Sequence, residues 1–251
     1  MTDVQTTQIP GWTSASAILF DLDGVLTPTA TVHEQAWKEL FEDYLASRPD
    51  VPGYREEDYF DHIDGKPRFD GVRDFLASRG IVLPEGSSGD DSADAGAKPA
   101  RDTVQGLGNR KNQVFNAIVS AGVEPFSGSV RFLEAALDRG LKVAVVSSSR
   151  NAPAVLKAAR LNGHFEVVVD GVVAAAEGLP GKPSPATYNY AAQLLGLPSE
   201  ECVVVEDAVS GVQAGHAGTF HSVIGVDRGA GRATLLDAGA TRVVNDLQEL
   251  L

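Results

Sequence analysis

The chain has 251 residues, 43% of them hydrophobic and 22% charged, which is enough for one large domain or two smaller ones with a sizeable core. Its formal net charge of −13 argues against a surface built for nucleic acid or anionic membranes. A small anionic substrate stays open, because a few local cations dominate a closed pocket.

The single cysteine, Cys202, excludes an intrachain disulfide, fits a reducing compartment and reads as a buried structural thiol at the start of an apolar run. No apolar run approaches the ~18 residues of a membrane span. The first residues lack the charged-then-apolar order of a signal peptide, so a cytoplasmic protein is expected.

In chain order, Ala17–Phe20 reads as a buried strand, followed by Asp21 and Asp23. Positions two apart on an extended chain share a face, so both carboxylates point into one site while Leu22 turns towards packing. Gly24 lets the backbone leave sharply. Thr31–Leu45 has helical spacing, and Tyr59–Gly80 and Arg110–Ala121 read as helical too. Between them, Pro84–Ala100 is rich in Gly, Ser, Asp and Ala without a hydrophobic period, which predicts a mobile surface loop.

From Lys142 onward, strands and helices alternate. Strands are expected at Lys142–Val146, Phe165–Val169, Cys202–Val205 and Ser222–Val226, and helices near Ala152–Leu161, Pro185–Leu195 and Ser210–Ala217. Near-continuous apolar strands alternating with helices imply an α/β fold, a parallel sheet covered on both faces. The helical stretch after the first strand would lie over the carboxyl edge of that sheet, where such sheets bind ligands.

Three further polar signals follow apolar runs. Ser147 is the first hydroxyl past Lys142–Val146 and could donate to a phosphoryl oxygen, while Ser149 could cap the next helix. Lys182, between Gly181 and Pro183, supplies an ammonium that could neutralise charge in phosphoryl transfer. Val203–Val205 ends in Glu206 and Asp207. Two strand ends offering carboxylates make a hard, oxygen-lined site suited to Mg²⁺, and no His/Cys cluster has zinc spacing.

This series (Asp-x-Asp-Gly, strand-end Ser, loop Lys-Pro, strand-end Glu-Asp) resembles the four motifs of the haloacid dehalogenase-like (HAD) phosphotransferase superfamily over essentially the whole chain. The resemblance implies a Rossmann-like core at 1–30 plus 125–251 with a helical cap at 31–124, in which the mobile loop near 84–100 has no obvious counterpart. It implies Asp21 as nucleophile and Mg²⁺ ligand, and Asp23 as general acid/base with its carbonyl on the metal. Ser147 and Lys182 would hold the transferred phosphoryl, and Glu206 and Asp207 would complete the metal site.

Within the superfamily, Thr29, His33 and Trp37 after the acid pair, Gly65 and Arg68 in Asp-Gly-Lys-Pro-Arg, and Lys111 in Arg-Lys-Asn resemble the β-phosphoglucomutase subfamily. So do Ser149, Arg150 and Asn151. As implied by that resemblance, these nine residues bind the substrate: Arg68 grips the non-transferring phosphate, Lys111 lines the sugar site, and His33 meets Asp23 on cap closure. The implied reaction interconverts β-D-glucose 1-phosphate and glucose 6-phosphate through a bisphosphate, and hydrolysis of a sugar phosphate is the alternative. A small-molecule sugar phosphate is the expected partner, with neither nucleic acid nor membrane, and a monomer the expected form. Lys66-Pro67, Pro28 and Ala208 depart from the subfamily pattern without removing a catalytic group.

Overall fold

The computed structural model describes residues 11–86 and 102–251. Its centre is a six-stranded sheet of β1 (Ala17–Phe20), β2 (Lys142–Val146), β3 (Val167–Val169), β4 (Cys202–Glu206), β5 (Ser222–Val226) and β6 (Arg242–Val244). The spatial order is β3-β2-β1-β4-β5-β6 and every neighbouring pair is parallel. The strands are rich in β-branched residues, whose stiff side chains suit the pleated surface. Alternation sorts them into two cores. Ile18, Phe20, Val143, Val145, Val203 and Val205 enter one, while Leu19, Ala144, Val146 and Val204 enter the other.

Among the described residues between β1 and β2, four helices build a separate helical unit: α1 (Thr29–Leu45), α2 (Glu57–His62), α3 (Arg68–Ser78) and α4 (Val104–Val119). Buried positions Ala36, Trp37, Leu40, Phe41, Tyr44 and Leu45 recur at helical spacing on α1 and form one apolar stripe. That stripe meets Val72, Phe75 and Leu76 of α3 and Leu107 of α4 in a third cluster, in which Phe41 and Phe75 stack at 3.8 Å. A fully buried side chain such as Phe75 contributes on the order of 1.5–3 kcal/mol relative to exposure. Beside the cluster, the buried Asp58 carboxylate pairs with Arg79, whose side chain is itself 5% exposed, and with the exposed Arg55.

The expected helix over Tyr59–Gly80 is two helices. Gly65 adopts φ +69°, and Pro67, which cannot donate a backbone N–H, stands just before α3. The expected mobile loop lies outside the described residues from 87 to 100.

Past α4, α5 (Ser127–Asp138) and α6 (Ala152–Ala158) cover one face of the sheet, and α8 (Ala186–Leu194) and α9 (Val209–Ala217) the other. Short helices α7 (Gly171–Ala176) and α10 (Arg232–Asp237) follow β3 and β5. β3 starts at Val167 rather than Phe165, whose ring instead packs edge-on against Phe20 at 6.1 Å. Among the described residues, no helix is long and apolar enough to cross a membrane.

Two features bring the helical unit onto the carboxyl edge of the sheet. The two connections run side by side, with Phe126 N–H donating to Leu26 O at 3.0 Å and Ser129 Oγ to Val25 O at 2.6 Å. At the far side, Ser148 Oγ donates to Gly65 O at 2.8 Å and Ser210 Oγ to Asp64 O at 3.3 Å. Pro67 sits so close to Gly181 that a β-carbon there would lie 2.6 Å from Pro67 Cγ. The helical unit is therefore closed over the strand ends.

Candidate active site

Asp21 continues the pairing of β1 by donating its N–H to Val205 O at 2.9 Å, so its carboxylate is delivered by the sheet itself. That carboxylate accepts from Lys182 Nζ at 2.5 Å. The same ammonium donates to Glu206 Oε1 at 2.5 Å and Val146 O at 3.2 Å, so its three donors are matched by three partners from β1, β2 and β4. Glu206 is held from several sides: Tyr188 Oη also donates to Oε1 at 2.8 Å, and the N–H groups of Asp207 and Ala208 donate to Oε2 at 3.1 and 3.2 Å.

One carboxylate oxygen from each of Asp21, Glu206 and Asp207 lies within 4.8 Å of the others, and all three residues are buried. Burial pushes the Asp21 carboxyl well above its usual range despite Lys182, and burial with the Asp64, Asp21 and Glu206 carboxylates does the same to Asp207. Three acids facing one ammonium leave an excess of negative charge in a dry site, which a small hard cation held by oxygen ligands would relieve. The donor set therefore fits a metal ion. Gly24 borders it at φ +93°, and a β-carbon there would stand 1.8 Å from Asp207 Oδ2.

The Asp23 carboxylate stands apart from this cluster. It accepts from Thr29 Oγ1 and, at 3.3 Å, from Ser147 Oγ, and His33 Nε2 stands 3.5 Å from Oδ1. Burial alone would raise the Asp23 carboxyl, but the His33 charge and the hydrogen bonds of His33 and Thr29 bring it down to about 2. His33 stacks on Phe115 at 3.9 Å and meets Lys111 Nζ through Nδ1. Burial and the Lys111 charge bring His33 down to about 4. Lys111, 2% exposed, lies over the rings of Phe115 and Trp37 at 4.8 and 5.2 Å, and burial together with Arg68 holds it well below the usual lysine range.

Thr29 is fully buried with its hydroxyl on Asp23 and is not among the residues that line the cavity. Ser149 is not the cap of α6, whose N-cap is Asn151; its Oγ accepts from Asn151 N–H at 3.1 Å. Ser147 Oγ accepts from Ser149 N–H at 3.0 Å.

All the other expected residues line one cavity. Asp21, Asp23, Ser147, Lys182, Glu206 and Asp207 form its floor. His33, Trp37, Gly65, Arg68 and Lys111 come from the helical unit, and Ser149, Arg150 and Asn151 from the loop after β2. Arg68 opens α3 and donates to Asn112 Oδ1 at 2.8 Å, and Lys66 pairs with Asp74 at 2.8 Å. Sequence reading missed Tyr59 and Asp64, which also line the cavity, and Tyr188 and Asn112 behind it. Burial and the Glu206 charge push Asp64 up to about 6. The acid in Asp64-Gly65 was a legible signal for that residue; the others depend on contacts made only by folding.

A protein-family model described as haloacid dehalogenase-like hydrolase matches residues 15–219. The β-phosphoglucomutase of Mycobacterium bovis is 46% identical over 245 residues, covering 94% of this chain and 91% of that protein. Hexitol phosphatase A of Escherichia coli is 30% identical over 206 residues, covering 82% and 80%. The crystal structure of β-phosphoglucomutase from Clostridium difficile superposes with a TM-score of 0.73 over 94% of this chain and 93% of that one, and at 22% identity this likeness shows the fold alone. The motifs, the sheet and the curated relatives agree: the chain is an enzyme of phosphotransferase type and belongs to the haloacid dehalogenase-like hydrolase family, in its β-phosphoglucomutase-like subfamily.

Proposed function

We propose that the protein is a β-phosphoglucomutase that interconverts β-D-glucose 1-phosphate and D-glucose 6-phosphate. The observation that carries this reading is a cavity lined by more cations than the reacting centre needs: Lys182, hydrogen-bonded to Asp21, and Arg68 and Arg150 from two other elements. A reaction through a sugar carrying two phosphates needs one anion site at the reacting centre and a second at a distance. The M. bovis relative supports the same assignment.

In the proposed cycle, Asp21 carries a phosphoryl group as a mixed anhydride. The sugar 6-hydroxyl attacks phosphorus while ionised Asp23 removes its proton, and the bond from phosphorus to the Asp21 oxygen breaks. The bisphosphate then turns end for end. Asp21 attacks the 1-phosphate, the bond to the anomeric oxygen breaks, and Asp23 returns the proton to that oxygen. Proton and phosphoryl are both restored, so no net hydrolysis occurs. Asp23, held at about 2 by its neighbours, is ionised at neutral pH and ready for the first of these steps.

Lys182 and Ser147 would hold the transferred phosphoryl oxygens, and positioning with charge neutralisation supplies most of the barrier reduction. Mg²⁺ is the proposed cofactor, with Asp21, Glu206 and Asp207 to hold it. When bound, it supplies further positive charge at the phosphoryl group.

A phosphatase reading draws on the E. coli relative and differs only in whether water or sugar discharges Asp21. The deciding assay supplies β-glucose 1-phosphate, Mg²⁺ and a trace of bisphosphate, and compares glucose 6-phosphate formed with phosphate released. Isomer should dominate; phosphate release without isomer sinks the mutase assignment.

A further inference from the structure

Asn112 closes the Arg-Lys-Asn stretch that singled out Lys111 but carries no expected role of its own, yet its side chain is where the helical unit and the sheet unit meet. Its Oδ1 accepts from Arg68 Nη2 at 2.8 Å and from Asn151 Nδ2 at 2.5 Å. Arg68 is the first residue of α3, Asn112 stands on α4, and Asn151 is the N-cap of α6 beside β2. Three separate elements therefore converge on one oxygen atom. Arg68 and Asn151 both line the cavity that Lys182 also lines, while Asn112 is not among its lining residues.

The geometry points to Asn112 as a positioning residue that stands in for a phosphate oxygen, holding Arg68 and Asn151 together until the non-transferring phosphate of the substrate arrives. Two donors brought to within 2.8 Å of one acceptor adopt the arrangement that a single anionic oxygen would require of them. The stand-in is neutral. The guanidinium bond to the amide is charge-assisted at the donor alone, whereas a phosphate oxygen is ionised as well and can accept both arms of the guanidinium, so the substrate displaces the amide oxygen. An aspartate at this position would hold Arg68 with a full charge and resist that displacement. The amide keeps the grip assembled without competing for it, and links its assembly to the closed arrangement of α3 and α4 over α6.

This inference rests on the two-anion reading of the cavity, and its test is arranged to separate the two. Wild type, Asn112→Ala and Asn112→Asp of the full chain are compared for calorimetric affinity for glucose 6-phosphate with Mg²⁺ present, for KM and kcat of isomerisation, and for consumption of acetyl phosphate, which carries no second phosphate. The stand-in role predicts affinity in the order wild type, Ala, Asp. Ala leaves Arg68 and Asn151 to be ordered by the substrate itself and should lose about tenfold, more than it gains from having no contact to displace, and Asp, whose charge must be displaced, more. KM should follow affinity while kcat changes little, and acetyl phosphate consumption should stay at the wild-type rate in both variants.

A packing role predicts the reverse order, because aspartate is isosteric with asparagine and alanine leaves a gap. Retained affinity in the Asp variant, or equal loss of acetyl phosphate consumption, overturns the proposal. Release of phosphate without isomer by the wild type overturns the mutase assignment, and the order of the three affinities still judges Asn112.

Discussion

Replacing Lys182 by methionine keeps the length of the side chain and removes the ammonium from the most buried ion cluster of the site. Lys182 is 5% exposed, Asp21 6% and Glu206 1%, so no solvent enters to take over the role of the charge. Two carboxylates lose a hydrogen bond each, and the Asp21 carboxyl, already driven up by burial, loses the one neighbour named as opposing that rise. Removing one partner from a buried pair costs about 3–5 kcal/mol, because the other charge stays behind uncompensated. Against a total stability on the order of 5–15 kcal/mol, the variant should still fold but sit near its limit.

The pH dependence has a definite sign. A carboxyl whose folded pKa is raised binds more protons folded than unfolded, so its cost grows as pH rises through the carboxylate range and shrinks as pH falls. Urea unfolding followed by circular dichroism, with chelator present, should therefore show a larger deficit at pH 7.5 than at pH 5. A loss below about 1 kcal/mol at pH 7.5, or a deficit that grows on acidification, refutes the claim that Lys182 is the main counter-charge of the floor.

Substituting Gly24 by Ala forces a β-carbon into a backbone at φ +93° and to 1.8 Å from Asp207 Oδ2. Metal affinity measured by calorimetry should fall at least tenfold, and unchanged affinity counts against Gly24 as the residue that makes room for Asp207. Asp21→Asn should remove turnover while the unfolding midpoint stays within a few degrees of wild type or above it, since a raised buried acid is replaced by a neutral amide; residual isomerisation excludes Asp21 as nucleophile.

In the helical unit, Asp58→Asn should cost about 3–5 kcal/mol at pH 7, because buried Arg79 loses its partner. Burial opposes the charge on Asp58, but the hydrogen bonds from Arg79 and Arg55 outweigh it and hold the carboxyl below the usual range. The stability this supplies is present above the unfolded value of about 4 and is lost as pH falls through the folded one, so wild type and variant should converge in acid. A gap that stays constant down to pH 3 rejects that origin.

The reacting groups were legible because they sit where a strand ends, and a strand announces itself. Val203–Val205 and Ala17–Phe20 are unbroken apolar runs, so the acids after them have to lie at the sheet's edge, and parallel pairing of β1 with β4 puts Asp21 and Asp207 at the same edge. Lys182 carried a similar flag in its Gly-Lys-Pro setting. The groups that hold them carried none. Tyr188 occupies a helix facing the sheet, and only the packing of α8 brings its hydroxyl to Glu206.

Asn112 follows Lys111 in sequence but owes its role to Arg68 and Asn151, which reach it from two other elements. α5 and β6 went unread as well. The first carries Phe132, Leu133 and Ala136 at helical spacing, a period that was there to read, and the second is three residues long, too short for any period to establish itself. Thr29 shows the same limit from the opposite direction: its place in a motif identified it as important, but only the fold turned its hydroxyl towards Asp23. Chemistry that a strand end imposes can thus be located from the order of residues. The partners that set its charge and geometry are tertiary contacts, and these decide whether water or a second hydroxyl reaches Asp21.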